Sequence, residues 1–148
     1  MQITALARSM HTTTVWIDDI AREFGTDDRN FVYRVTRAWL HTVRDRLAVQ
    51  EAADFAAQLP EHLRGVFYEG WRPSHVPVKY GWPGFAKRFC AEADIGMPEA
   101  AATCRSIARA LNRRMGGDVS RIAKTMPSDL RKMLSTPRTP LSEIVTTA

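Results

Sequence analysis

The sequence predicts an all-α protein of about eight helices, built as two tandem related four-helix units packed into one compact domain. Three observations carry this expectation. Apolar residues recur at helical spacing, prolines and glycines fall at the ends of those stretches, and the layout of the first half returns in the second. A chain of 148 residues with 45% hydrophobic content can bury an ordinary core. Each unit alone, at about 50 residues, is too small to bury its apolar face well, so the two should pack together.

Residues 1–13 read as an N-terminal extension and 14–70 as the first repeat. Trp16, Ile20 and Phe24 recur every four positions and give a short first helix one apolar face, with Gly25 as its stop. Asp27 or Asp28 can cap the next helix, over 31–47. There Phe31, Val32, Val35, Trp39, Val43 and Leu47 share one side, while Arg34, Arg37, His41 and Arg44 fall opposite and are expected on a solvated face. A third helix follows over 50–57, and Pro60 suits the first turn of a fourth, over 61–68, because that position needs no donor N–H.

The second repeat spans 85–135. Phe85, Phe89 and Ala93 repeat the spacing of Trp16, Ile20 and Phe24. Pro98 opens a long helix to Met115 whose apolar face of Cys104, Ile107 and Leu111 opposes Arg105, Arg109 and Arg113. Gly116 and Gly117 end it, Asp118 can cap a short helix through Lys124, and Pro127 begins the last helix, to about Leu134. The best local match sets Leu59, Pro60, Leu63 and Arg64 against Met126, Pro127, Leu130 and Arg131. Ala56 meets Ala123 in the same register, and a one-residue shift upstream brings Arg37 to Arg105 and Arg46 to Arg114. Arg46 and Arg114 fall on the inner side near a helix C-terminus, where a guanidinium can satisfy terminal carbonyls or pair with a carboxylate between units. Arg64 and Arg131, equivalent after the two prolines, read the same way or as a paired surface feature.

Between the repeats, the connector 71–84 holds Trp71, Tyr80 and Trp82 among prolines and glycines and cannot be helical throughout. Its rings are expected to pin it across the two units. Residues 136–148, with Pro137 and Pro140 among Ser and Thr, read as a flexible tail.

The run Glu51-Ala52-Ala53, Ala56-Ala57-Gln58-Leu59-Pro60, Leu63-Arg64-Gly65 and Phe67-Tyr68-Glu69-Gly70-Trp71 resembles the core signature of a bacterial domain-of-unknown-function family, number 2267. The resemblance spans roughly residues 14–136 and is looser in the second half, where Thr125-Met126-Pro127 replaces the usual pattern. It implies a helical, internally repeated fold. It carries over no activity.

No apolar run approaches the ~20 residues of a membrane span, and residues 1–8 lack the basic start and apolar centre of a signal peptide, so a cytoplasmic protein is expected. Cys90 and Cys104 should then be reduced, buried thiols. His11, His41, His62 and His75 show no metal-ligand spacing, and His41 and His62 read as surface residues. No nucleophile signature or phosphate loop is present, so neither catalytic, metal nor cofactor residues are nominated and the chain reads as no enzyme. The acidic pairs Asp18-Asp19 and Asp27-Asp28 read as helix-start carboxylates.

Charge supplies the one functional signal. The overall +5 divides into −2 over residues 1–70, from 8 Lys and Arg against 10 Asp and Glu, and +7 over 71–148, from 13 against 6. Arg105, Arg109 and Arg113 form a line down one helix, and Lys124 and Arg131 add to it. Trp71, Tyr80 and Trp82 are further candidates, since Trp and Tyr concentrate at binding hot spots. The expected role is a non-enzymatic adaptor or regulator presenting a basic helical face to an acidic macromolecular partner, most simply a protein. The alternative is a nonspecific nucleic-acid-binding protein.

Overall fold

The computed structural model describes residues 3–135; the tail expected over 136–148 lies outside them. Among the described residues the chain forms eight α-helices and no strand. In the first unit these are α1 Thr4–Phe24, α2 Arg29–Arg46, α3 Val49–Ala57 and α4 Glu61–Tyr68. The second unit supplies α5 Trp82–Ala93, α6 Ala100–Arg114, α7 Asp118–Ala123 and α8 Ser128–Leu134. Single 3-10 turns at Pro73–His75 and Met97–Glu99 precede α5 and α6.

Helix ends follow the local chemistry. The carboxylate of Asp28 accepts from the Phe31 amide at 3.1 Å and starts α2. At the end of α1, Gly25 turns left-handed (φ 70°) and the Thr26 amide reaches back to the Ala21 carbonyl at 3.1 Å. The corresponding point of α5 is Asp94, also left-handed (φ 56°), with the Ile95 amide on the Cys90 carbonyl at 3.2 Å. Asp tolerates this backbone where most side chains do not, so one cap is built twice from different residues. Arg64 donates to the Leu59 carbonyl at 3.1 Å and Arg131 to the Met126 carbonyl at 3.2 Å, the same bond at equivalent positions.

Two helix starts differ from the sequence expectation. α1 begins at Thr4 rather than near Trp16, because residues 4–12 are rich in good helix formers although few of them reach the core. α5 begins at Trp82, so the end of the expected connector is helical, with Pro83 in the first turn where its missing N–H costs nothing.

The units are interleaved rather than stacked side by side. α1 packs most extensively on α6, and α5 on α2, so the first helix of each unit lies against the long helix of the other. One continuous core results, with Ile20 and Phe89, Val43 and Leu111, Phe55 and Ile122, and Leu63 and Leu130 buried at corresponding positions. Removing a side chain such as Phe89 from water is worth about 1.5–3 kcal/mol, and neither unit could bury its share alone. A small satellite of Ala86, Cys90 and Ala100 lies under Trp82 and Ile95. Both cysteines are buried and free.

Candidate interaction surface and the polar junctions between units

α2 lies at the centre of this arrangement, and its position overturns one sequence reading. The side assigned to solvent is covered in its later turns: α1, α4, α5 and α6 all pack on α2, and Arg44 and His41 are only 5% and 8% exposed, whereas Arg34 is exposed as expected and Arg37 partly so. These side chains satisfy the C-terminus of α4. Nε2 of His41 donates to the Val66 carbonyl at 2.7 Å, and Arg44 donates to the Phe67 carbonyl at 2.9 Å and the Glu69 carbonyl at 2.6 Å. Arg37 adds an ion pair with the Glu69 carboxylate. A short helix ending inside the protein leaves carbonyls bare and a partial negative charge, and three basic side chains spaced along one face of α2 answer both. Helical spacing identified that face; it could not tell whether water or another helix would meet it.

His41 also joins the units. Its Nδ1 lies 2.8 Å from a Glu92 carboxylate oxygen on α5. With Nε2 committed to a carbonyl, the Nδ1 contact is a hydrogen bond only if a proton sits between ring and carboxylate. The equivalent junction, α1 on α6, carries Arg109 with Glu23 at 3.5 Å, the positions that correspond to His41 and Glu92. One turn away the sign is reversed: Arg88 on α5 faces Asp45 on α2 at 3.7 Å, whereas Asp19 on α1 faces Arg113 on α6 at 3.8 Å. Arg113 also meets Glu23 at 2.8 Å, and Arg114 meets Asp19 at 3.2 Å. The expected carboxylate partner of Arg114 between units is therefore Asp19. Its counterpart Arg46 donates to the Tyr80 carbonyl at 3.1 Å. Asp18 and Asp19 accordingly sit in the later turns of α1 and not at a helix start, a consequence of the earlier beginning of that helix; Asp18 pairs with Arg29.

The basic line divides in two. Arg109 and Arg113, about half exposed, are engaged by the carboxylates of α1. Arg105 and Lys124 are exposed and have no ion pair among the described residues, and the same holds for Lys132. Arg131 is exposed with one nitrogen on the Met126 carbonyl, and Arg121 pairs with Asp118 at 2.7 Å. Arg105 on α6, Lys124 at the end of α7 and Lys132 on α8 therefore come from three helices that pack on one another.

The aromatic residues of the connector face inward. Tyr80 donates its hydroxyl to the Thr42 carbonyl, Arg88 lies over its ring at 5.1 Å, and the Val78 amide donates to the Asp45 carbonyl at 2.7 Å. Burial, with help from Asp45, holds the Tyr80 hydroxyl well above its ordinary pKa. Trp82 stacks on Phe85 at 5.8 Å, and its amide donates to Asp129 of α8 at 2.9 Å. Trp71 packs on Tyr68 at 5.2 Å. All three rings are partly buried against the core.

Among the described residues no cluster of three or more His, Cys, Asp or Glu is placed to hold a metal ion, and no helix is long and apolar enough to cross a membrane. Burial pushes the Cys104 thiol up to about 12, against the low value a nucleophile needs. An open cleft of about 540 Å³ separates α3 from α7, lined by Glu51, Asp54, Gln58, Arg121 and Thr125. Glu51 caps its own helix and Asp54 accepts from Gln50.

The family model described as "Uncharacterized conserved protein (DUF2267)" matches residues 13–133. The chain belongs to the DUF2267 family. No curated protein matches it. The DUF2267 match opens at Thr13, the first buried residue of α1, and closes within α8, so it covers the interleaved core and leaves the exposed first turns of α1 outside.

Proposed function

We propose that this DUF2267 protein is a non-enzymatic cytoplasmic interaction module, an adaptor or regulator, that presents the basic face of α6, α7 and α8 to an acidic surface on a protein partner. The observation that supports this reading is the division of the cations. Arg109 and Arg113 are neutralised within the chain, whereas Arg105, Lys124 and Lys132 stand exposed without an ion pair among the described residues. Exposed like charges with no internal partner raise association rates with an oppositely charged surface, an effect that fades as salt rises. Arg131 extends the same face. Trp71, Tyr80 and Trp82 are partly buried against the core, which supports a contact that is mainly electrostatic.

The test is a capture from cell lysate with the tagged full chain beside an Arg105→Glu/Lys124→Glu variant, with and without nuclease. One protein retained after nuclease by the wild type, and lost by the variant, is expected. Retention that disappears with nuclease makes nucleic acid the ligand instead, with a salt slope of roughly 0.9 per phosphate contacted on duplex DNA. Capture that the variant leaves unchanged overturns the basic face.

A further inference from the structure

The two units present equivalent surfaces of opposite charge. In the register that sets Leu59 against Met126, residues 49–65 correspond to 116–132. The first stretch holds α3 and the first turn of α4, with Glu51, Asp54 and Glu61 against Arg64, a net charge of −2. The second holds α7 and the first turns of α8, with Asp118 and Asp129 against Arg121, Lys124, Arg131 and Lys132, a net charge of +2. These surfaces adjoin across the open cleft of about 540 Å³, where Glu51 and Asp54 line the α3 side and Arg121 lines the α7 side. Asp54 is the counterpart of Arg121 and Ala57 of Lys124, and all four are exposed. Asp54 accepts from Gln50 on its own helix, and Arg121 pairs with Asp118 on its own, so each side keeps its sign up to the edge of the cleft. A face that is acidic on one side of a line and basic on the other is complementary to itself, because half a turn about that line sets each side against its opposite.

We propose, resting on the basic face argued above, that the acidic surface it meets belongs to a second copy of the chain. The α7–α8 side of each copy lies against the α3–α4 side of the other, about a twofold axis along the cleft. Arg121 and Lys124 of each copy then face the Asp54 side of the other, and Gln58 and Thr125, equivalent residues that line the cleft, meet near the axis. The two patches share one face of the chain, so the pairing is reciprocal: it closes as a dimer and does not propagate. The duplication supplies two surfaces of one shape, and their opposite charges let each copy offer what the other needs. Exposed pairs of this kind are individually weak and are screened by salt, so the dimer is reversible and salt-sensitive.

Sedimentation velocity on the full chain, over a concentration series at about 20 mM and about 0.5 M salt, tests this. The wild type should dimerise reversibly in low salt, with its dissociation constant raised at least about tenfold in high salt. Asp54→Lys/Ala57→Lys makes both sides of the cleft basic, and Arg121→Glu/Lys124→Glu makes both acidic. All four side chains are exposed, so helical circular dichroism and melting of both variants should stay close to wild type. Each variant alone should be monomeric, and an equal mixture should form a one-to-one heterodimer, because every acidic side then meets a basic one. A wild type that stays monomeric in low salt to roughly millimolar concentration overturns the proposal. So does a dimer that either variant retains, or a mixture that fails to associate. Capture of a different protein through Arg105 and Lys124 by a chain that is itself monomeric also overturns it, and leaves the basic face standing with another partner.

Discussion

The two places where the units grip each other, α5 on α2 and α1 on α6, pair equivalent helices and differ in the polar groups that surround them. Where α5 meets α2, Arg88–Asp45 and His41–Glu92 lie near the surface, but beside them His41 and Arg44 reach main-chain carbonyls of α4 in an enclosed site, and the connector folds over the end of α2. Where α1 meets α6, Arg109, Arg113 and Arg114 meet Asp19 and Glu23 near the surface, and α1 runs on past the core. The comparison teaches that interleaving rests on the apolar residues common to both junctions. The polar pairs were free to diverge, even to exchange sign at Arg88–Asp45 and Asp19–Arg113. What each pair is worth depends on whether water can replace it.

That view breaks most readily in the shared apolar layer. Phe89→Ala on α5 should lower unfolding stability by about 3–5 kcal/mol in urea titration, and its counterpart Ile20→Ala by about 2–5 kcal/mol, since each empties a fully packed position. A loss under about 1 kcal/mol at either site would show that its junction is not part of the cooperative core.

Arg44→Ala comes next. It strips the Phe67 and Glu69 carbonyls of their donor in an enclosed site, and a loss of about 2–3 kcal/mol is expected by the same titration. At the other junction Arg109→Ala should cost less than about 1 kcal/mol and should become neutral in 1 M salt, because half-exposed pairs are screened. Equal costs at Arg44 and Arg109 would erase the distinction between the junctions.

The smallest effect at neutral pH belongs to the buried thiol of Cys104. Folding raises its pKa from an ordinary 9.0 to about 12, so the folded chain holds this proton more tightly than the unfolded one. The resulting stability is complete below pH 9 and is lost as pH climbs from 9 towards 12. Cys104→Ala should therefore flatten the alkaline limb of a stability-against-pH curve, though the cavity it leaves lowers the whole curve. An unchanged limb would assign alkaline unfolding to other groups, Tyr80 first among them.

Much of the helical layout is legible in the sequence because its signals are local. Gly25, Asp28, Pro60 and Pro127 mark ends through backbone geometry and capping, and the spacing of Trp39, Val43, Ile107 and Leu111 marks the faces that become core. The first turns of α1 escape that reading because their apolar stripe is not buried, and a search for core begins at Trp16. Candidate surface residues were legible only as composition. Arg105 and Lys124 remain exposed, whereas Arg109 and Arg113, one and two turns further along the same face as Arg105, are claimed by Asp19 and Glu23 some ninety positions away.

By itself, then, the sequence determined where most helices start and stop, the starts of α1 and α5 apart, which face of each is apolar, and that the pattern occurs twice; caps and periodicity act over a few residues and need no partner. Only the tertiary structure decided that each first helix crosses to the other unit's long helix, that basic side chains of α2 close the end of α4, and which arginines find a carboxylate within the chain. Those outcomes depend on which surfaces meet across long stretches of chain, and a basic side chain opposite an apolar face reads the same whether it will meet water or a bare carbonyl.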